Sequence, residues 1–180
     1  MKLFAVIQQV IAGWIMILRG EAGWQDRFRL TAPGLATALA LFYVFAFLAV
    51  VFASMQVGVP TVQGFVDIML IQSLWLVALL IGIFGTRAAL KSQVPVLPIL
   101  IPGIYALIAY LVLGSLLSMV IGVLLPILWI GLLILFFRLG RVAGGWSLGV
   151  SAAFAVLTVV LLVGLPMTLY MLIASPIPAA

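Results

Sequence analysis

Few side chains in this chain are able to do chemistry. Its only acids are Glu21, Asp26 and Asp67, and it has neither cysteine nor histidine. Disulfides, thiolate nucleophiles, Ser–His arrangements, haem ligation by His and most transition-metal sites are therefore excluded. Glu21 and Asp26 come nearest to a carboxylate pair, beside Trp24 and Arg27. Divalent-metal chemistry on phospholipid headgroups assembles more carboxylates than this. Local ion pairs with Arg19, Arg27 and Arg29 account for both acids more simply. General acid–base catalysis has nothing to work with that titrates near neutrality. The chain reads as a non-enzyme, with no catalytic residue, cofactor or metal site expected.

The other candidate is a polar intramembrane group: Asp67, with Gln72 and Ser73 about one helical turn deeper. An ionisable residue in a membrane span is by default a functional hypothesis. Asp67 falls near the start of its span, at the outer interface, where the helix dipole favours a carboxylate. A structural cap is the first reading, and an ion or proton site the second. Gln72 and Ser73 suit hydrogen bonding between helices.

The elements that must carry these residues follow from composition. The chain of 180 residues is 68% hydrophobic and 6% charged, with mean hydropathy +1.50. A water-soluble domain of that composition would have an apolar exterior. The long unbroken apolar segments argue for helices, since a barrel would show ~10-residue alternating strands. The expected fold is an all-α polytopic integral membrane bundle of five transmembrane helices, preceded by an N-terminal interfacial amphipathic helix. The net charge of +5 fits a positive-inside bias and attraction to anionic headgroups, not nucleic acid.

Residues 1–30 form the cytoplasmic interfacial segment. On a helical wheel, Val6, Ile7, Val10, Ile11, Trp14, Ile15, Ile17 and Leu18 share one half, and Gln8, Gln9, Ala12 and Arg19 the other. Such a helix prefers to lie in the interface, with Trp14 at headgroup depth. Gln8 and Gln9 interrupt the apolar run and no A-x-A site follows, which argues against a cleaved signal peptide. Trp24 and Phe28 should dip into the lipid in a second short turn while Arg27 and Arg29 snorkel. Trp14, Arg19, Trp24, Arg27, Phe28 and Arg29 are thus the candidates for contact with membrane or partner.

Residues 31–180 form the transmembrane domain, with spans expected at about 33–55, 65–86, 97–113, 116–137 and 146–174. Thr31 should cap the first span, with Pro33 in its first turn. Small residues mark expected packing faces: Ala36 and Ala40, Gly82 and Gly85, and the stripe Gly145, Gly149 and Ala153. Between Lys91 and Arg138 the chain is uncharged, too long for one crossing at ~1.5 Å per residue. The best turn is Gly114-Ser115, with Ser118 and Gly122 as alternatives, and Pro126 should kink the return helix. If this run crosses twice, all eight basic residues lie on one side. The positive-inside rule then places the N-terminus in the cytoplasm and the C-terminus outside.

This layout resembles the bacterial branch of the Yip1-domain membrane proteins. The shared features are a cytoplasmic amphipathic lead-in with Trp14 and Trp24, five spans, a tight hairpin of spans three and four, and an outside C-terminus. The resemblance implies a non-enzymatic role in membrane organisation or trafficking. The expected function is structural or interactive, either Yip1-like or as an accessory subunit of a bacterial inner-membrane complex. Its partners would be anionic headgroups and other membrane proteins or further copies of itself. The alternative is a small oligomeric transporter or channel.

Overall fold

The computed structural model describes residues 2–120 and 125–174. Every regular element among them is helical: α1 (Lys2–Arg19), a 3₁₀ turn (Trp24–Arg27), α2 (Ala32–Val57), α3 (Val62–Leu90), α4 (Leu97–Val120), α5 (Leu125–Val142) and α6 (Leu148–Ala174). Four segments are long and apolar enough to cross a membrane: Ala32–Met55, Val62–Leu90, Leu97–Ser118 and Leu148–Leu172.

The helix starts follow from capping chemistry. The Thr31 hydroxyl accepts from the Gly34 N–H at 3.3 Å, with Pro33 in the first turn as expected. Thr61 does the same for Gly64 at 3.1 Å, so α3 begins at Val62, earlier than the expected 65. α3 ends where Lys91 adopts φ 50° and Ser92 N–H returns to the Arg87 carbonyl at 2.9 Å. This is a Schellman closure with lysine at the position glycine usually takes.

Helix α4 is central. Half of its apolar window is buried (50%), against 22–28% for the other three long segments. It packs on α2, α3 and α5, while α6 packs on α3 and α5. Gly103 permits the contact with α3, since a Cβ there would sit 2.9 Å from a Leu79 methyl. Pro102 is absorbed inside the helix.

Gly114-Ser115 does not turn the chain. α4 continues through it to Val120, and the Ser115 hydroxyl donates to the Leu111 carbonyl at 2.7 Å. Ser118 is likewise helical, and Gly122 lies outside the described residues. Breaking a helix strands backbone polar groups, a heavier cost in lipid than the weak helix propensity of Gly and Ser. The expected kink at Pro126 falls at the edge of the described residues. Pro126 is the second described residue of α5 (Leu125–Val142), and the preceding turn against which it would kink lies outside the described residues.

The small-residue faces are used differently than expected. Gly82 is buried against Thr158 and Phe154 of α6. Gly85 and Gly149 face open space, Ala153 is exposed, and Gly145 (φ 62°) belongs to the turn before α6. Among the described residues, then, Gly85, Gly145, Gly149 and Ala153 do not mediate helix packing. Ala36 and Ala40 are also exposed, and α2 buries Ala38, Phe42 and Ala46 instead. The reason is periodicity. Spacing by four defines a face but leaves its direction open, and α2 and α6 are apolar on every side.

The core is asymmetric along the bundle. Buried positions cluster in the later half of α3 (Leu76 to Thr86), the earlier part of α4 (Ile99 to Leu111) and the earlier half of α6 (Ser151 to Leu162). These three stretches lie at one end of the bundle. Toward the other end, Leu113, Leu116, Met167 and Tyr170 are exposed.

Gly82→Ala should cost ~1–3 kcal/mol by overpacking, read as a lower thermal midpoint in detergent. Adding Thr158→Ala should recover most of the loss, because it vacates the space and removes a buried hydroxyl that makes no hydrogen bond. An equal loss on both backgrounds would refute the contact.

Candidate functional site

The site is built where the N-terminal segment meets the bundle. α1 closes with Gly20 at φ 74°. Gly20 N–H bonds the Ile17 carbonyl at 3.1 Å and Glu21 N–H the Met16 carbonyl at 2.9 Å. That closure leaves the Leu18 carbonyl free, and the Arg138 guanidinium of α5 donates to it. A cation on the last carbonyls of a helix also meets the negative end of its dipole. Arg138 thus ties the end of α1 to the end of α5. Arg141 holds the following turn, donating to the Trp146 carbonyl at 2.8 Å.

The aromatic residues of the segment point inward. Trp24 and Phe28 are buried and meet edge-to-face at 6.1 Å. Phe28 also meets Tyr105 of α4 at 6.1 Å. Gly13 makes room for it, since a Cβ there would lie 2.5 Å from the Phe28 ring. Trp14 is buried as well. The expectation that Trp14, Trp24 and Phe28 contact lipid is therefore corrected: all three pack against protein. The wheel showed an apolar half-circumference, which is wide enough for two stripes. Val6, Val10, Trp14 and Ile17 turn toward the bundle, and Ile7, Ile11, Ile15 and Leu18 remain 37–54% exposed.

The charged residues stay outside. Arg19 pairs with Glu21 at 3.5 Å, an exposed pair of the kind that contributes little. Arg27 and Arg29 are exposed and, with Gln9, Thr37, Ile101 and Tyr105, line a cavity of about 430 Å³. Arg87 and Lys91 close α3 and Arg138 and Arg141 close α5, at the same end of the bundle. Among the described residues no cluster of acids could hold a metal ion.

The polar intramembrane candidates separate. Asp67 sits in the second turn of α3 and accepts from the Gln63 amide at 2.9 Å. Ser73 bonds the Tyr43 hydroxyl at 3.1 Å and donates to the Met69 carbonyl at 2.9 Å, tying α3 to α2. Gln72 alone lines a cavity, of about 300 Å³, with Tyr110, Ser115 and Ser118. Its side-chain oxygen is buried without a hydrogen bond.

Comparisons with protein-family models, curated proteins and solved structures return no match. Sequence reasoning missed Arg138, Tyr105 and Gly13 as parts of this site. Arg138 was visible as a basic flank, but no local signal pairs it with a carbonyl 120 residues away.

Arg138→Gln should release α1 and the segment after it at a cost of ~1.5–3 kcal/mol, as for a hydrogen bond from a charged donor. The readout is faster amide exchange across residues 14–28 with total helicity unchanged. Unchanged exchange there would show that Arg138 does not hold the segment.

Proposed function

We propose that this chain is a non-enzymatic integral membrane protein with a structural or interaction role, a Yip1-like organiser or an accessory subunit of a bacterial inner-membrane complex. Supporting this most directly is the outward face of α6. Gly149, Ala152, Ala153, Val156 and Val160 are all exposed along it. Small residues on a lipid-facing helix permit close approach of another backbone, and among the described residues no helix of the same chain packs on them.

In this reading α5 completes five spans. Its 18 residues give ~27 Å at ~1.5 Å per residue, close to the ~30 Å hydrocarbon core. The gathering of Arg19, Arg27, Arg29, Arg87, Lys91, Arg138 and Arg141 at one end supports a cytoplasmic N-terminus and an outside C-terminus. α1 then lies in the interface as an amphipathic helix, its exposed Ile7, Ile11, Ile15 and Leu18 turned to lipid. A reporter active only outside the cytoplasm should work when fused after Ala180 and stay silent after Arg141. The reverse pattern would overturn the five-span arrangement.

The second reading, a small oligomeric transporter or channel, draws on the cavity at Gln72 and its unpaired oxygen. One preparation separates the two. Wild type solubilised from its native membrane should run with partners or further copies, and Gly149→Leu/Ala153→Leu should run as a monomer. A wild type that is always monomeric counts against the interaction role, and solute flux in liposomes that Gln72→Leu abolishes favours transport.

A further inference from the structure

We infer that the chain holds one anionic phospholipid in a built site, its phosphate beside Arg27 and Arg29 and an acyl chain along the seam between α2 and α4. Three cavities lie in sequence along that seam. The first, about 430 Å³, is the one lined by Arg27, Arg29, Gln9 and Thr37. The second, also about 430 Å³, is lined almost wholly by apolar side chains, among them Ile7, Ile11, Phe45, Ile108, Ala109 and Val112. The third, about 80 Å³, continues past Phe45 and Val112 to Ser115 and Leu116. Val6, Val10 and Tyr105 border both the first and the second, and Phe45 and Val112 both the second and the third. The series therefore grades from cationic to apolar without a break in its walls.

Charge selects the headgroup. No carboxylate lines the first cavity. The Arg29 backbone carbonyl packs directly on Gly34, where a Cβ would collide with it, and this close approach fixes the arginine against the first turn of α2. Arginine presents a planar fork suited to phosphate oxygens, and Gln9 and Tyr105 add neutral polar groups.

Length selects a lipid over a free anion. From Ile101 in the first cavity to Leu116 in the third, α4 advances roughly 22 Å. One leaflet with its headgroups is about 20–22 Å thick, half of the whole bilayer. The polar-to-apolar order also runs from the basic end inward, as a phospholipid would lie. An apolar cleft of this kind does not hold water, so within a bilayer it takes an acyl chain.

The inference rests on the interfacial placement of α1 proposed above and is tested separately from it. Full-length protein in mild detergent is titrated with phosphatidylglycerol or phosphatidylcholine, and bound lipid is counted by native mass spectrometry. Phosphatidylglycerol should be retained preferentially. Arg27→Gln/Arg29→Gln should weaken it about 30-fold, the effect of two basic groups at a phosphate. Both arginines are exposed, so the fold should survive. Arg87→Gln/Lys91→Gln, which removes equal charge from the same end outside the cavities, should leave retention unchanged. Ala109→Trp should fill the apolar cleft and abolish retention of both lipids. Equal retention of the two lipids, equal loss in both charge variants, or displacement by soluble glycerol phosphate would overturn the site. The reporter fusions report topology whichever way these titrations turn out.

Discussion

The structure depends on one constraint: inside a bilayer no water is present to bond a stray peptide group, so the backbone must satisfy itself. Its effects are legible residue by residue. α4 runs through Gly114, Ser115 and Ser118, residues that would punctuate a helix in water. Ser115 turns its hydroxyl back onto Leu111, so that it too is satisfied. Where helices do end, the ends carry devices: Thr31 and Thr61 at the starts, and Lys91 in a left-handed conformation at a finish. The Arg138–Leu18 bond is the same device extended across the fold, a cation placed on a carbonyl left over from helix closure. Because such devices are polar, they gather at the ends of the helices, and the basic ones share one end.

The second determinant is close packing, since lipid gives apolar helices no hydrophobic reason to associate. Contacts form where shape permits: Gly82 under Thr158, Gly103 under Leu79, and Gly140, where a Cβ would lie 3.2 Å from the side chains of Ser151 and Trp146. Aromatic rings fill what remains, with Phe154 between Phe136 at 6.0 Å and Trp146 at 5.1 Å. Trp75, Tyr110 and Trp129 join α3, α4 and α5 in the same way, at 5.2 Å and 4.8 Å.

This explains what could be read in the sequence and what could not. Long apolar runs, the Thr31–Pro33 start and the grouping of basic residues depend on composition and neighbours in the chain, and these were legible. The direction of a face was not. Gly149 and Ala153 look from spacing alone like Gly82, yet among the described residues only Gly82 of the three meets a neighbouring helix. Trp14, Trp24 and Phe28 have the composition of an interfacial belt, but Gly13 opens a slot that draws Phe28 into the protein. The slot exists only once α1, the 3₁₀ turn and α4 are together. Of the candidate site, Arg19, Arg27 and Arg29 were visible, while Arg138, Tyr105 and the cavities were not, because each depends on several elements at once.

Together these constraints account for the asymmetry of the bundle. At the basic end, small residues and the anchored N-terminal segment close the helices on one another, and burial around α4 is nearly continuous from Ile99 to Ile108. Past the Trp75–Tyr110–Trp129 cluster no glycine among the described residues is buried, and cavities lie beside Gln72 and Ser115. In water an opening of this kind between apolar helices would collapse. In a bilayer the walls lose almost nothing by facing acyl chains instead of each other, so only the half with interlocking shapes is closely packed. The half with interlocking helix contacts is also where the arginines and the cavities bordering α1 lie, those cavities being set between the bundle and the N-terminal segment. Charge and interlocking shape thus coincide at one end, and the lipid proposed above would rest its phosphate there with its acyl chain directed toward the other.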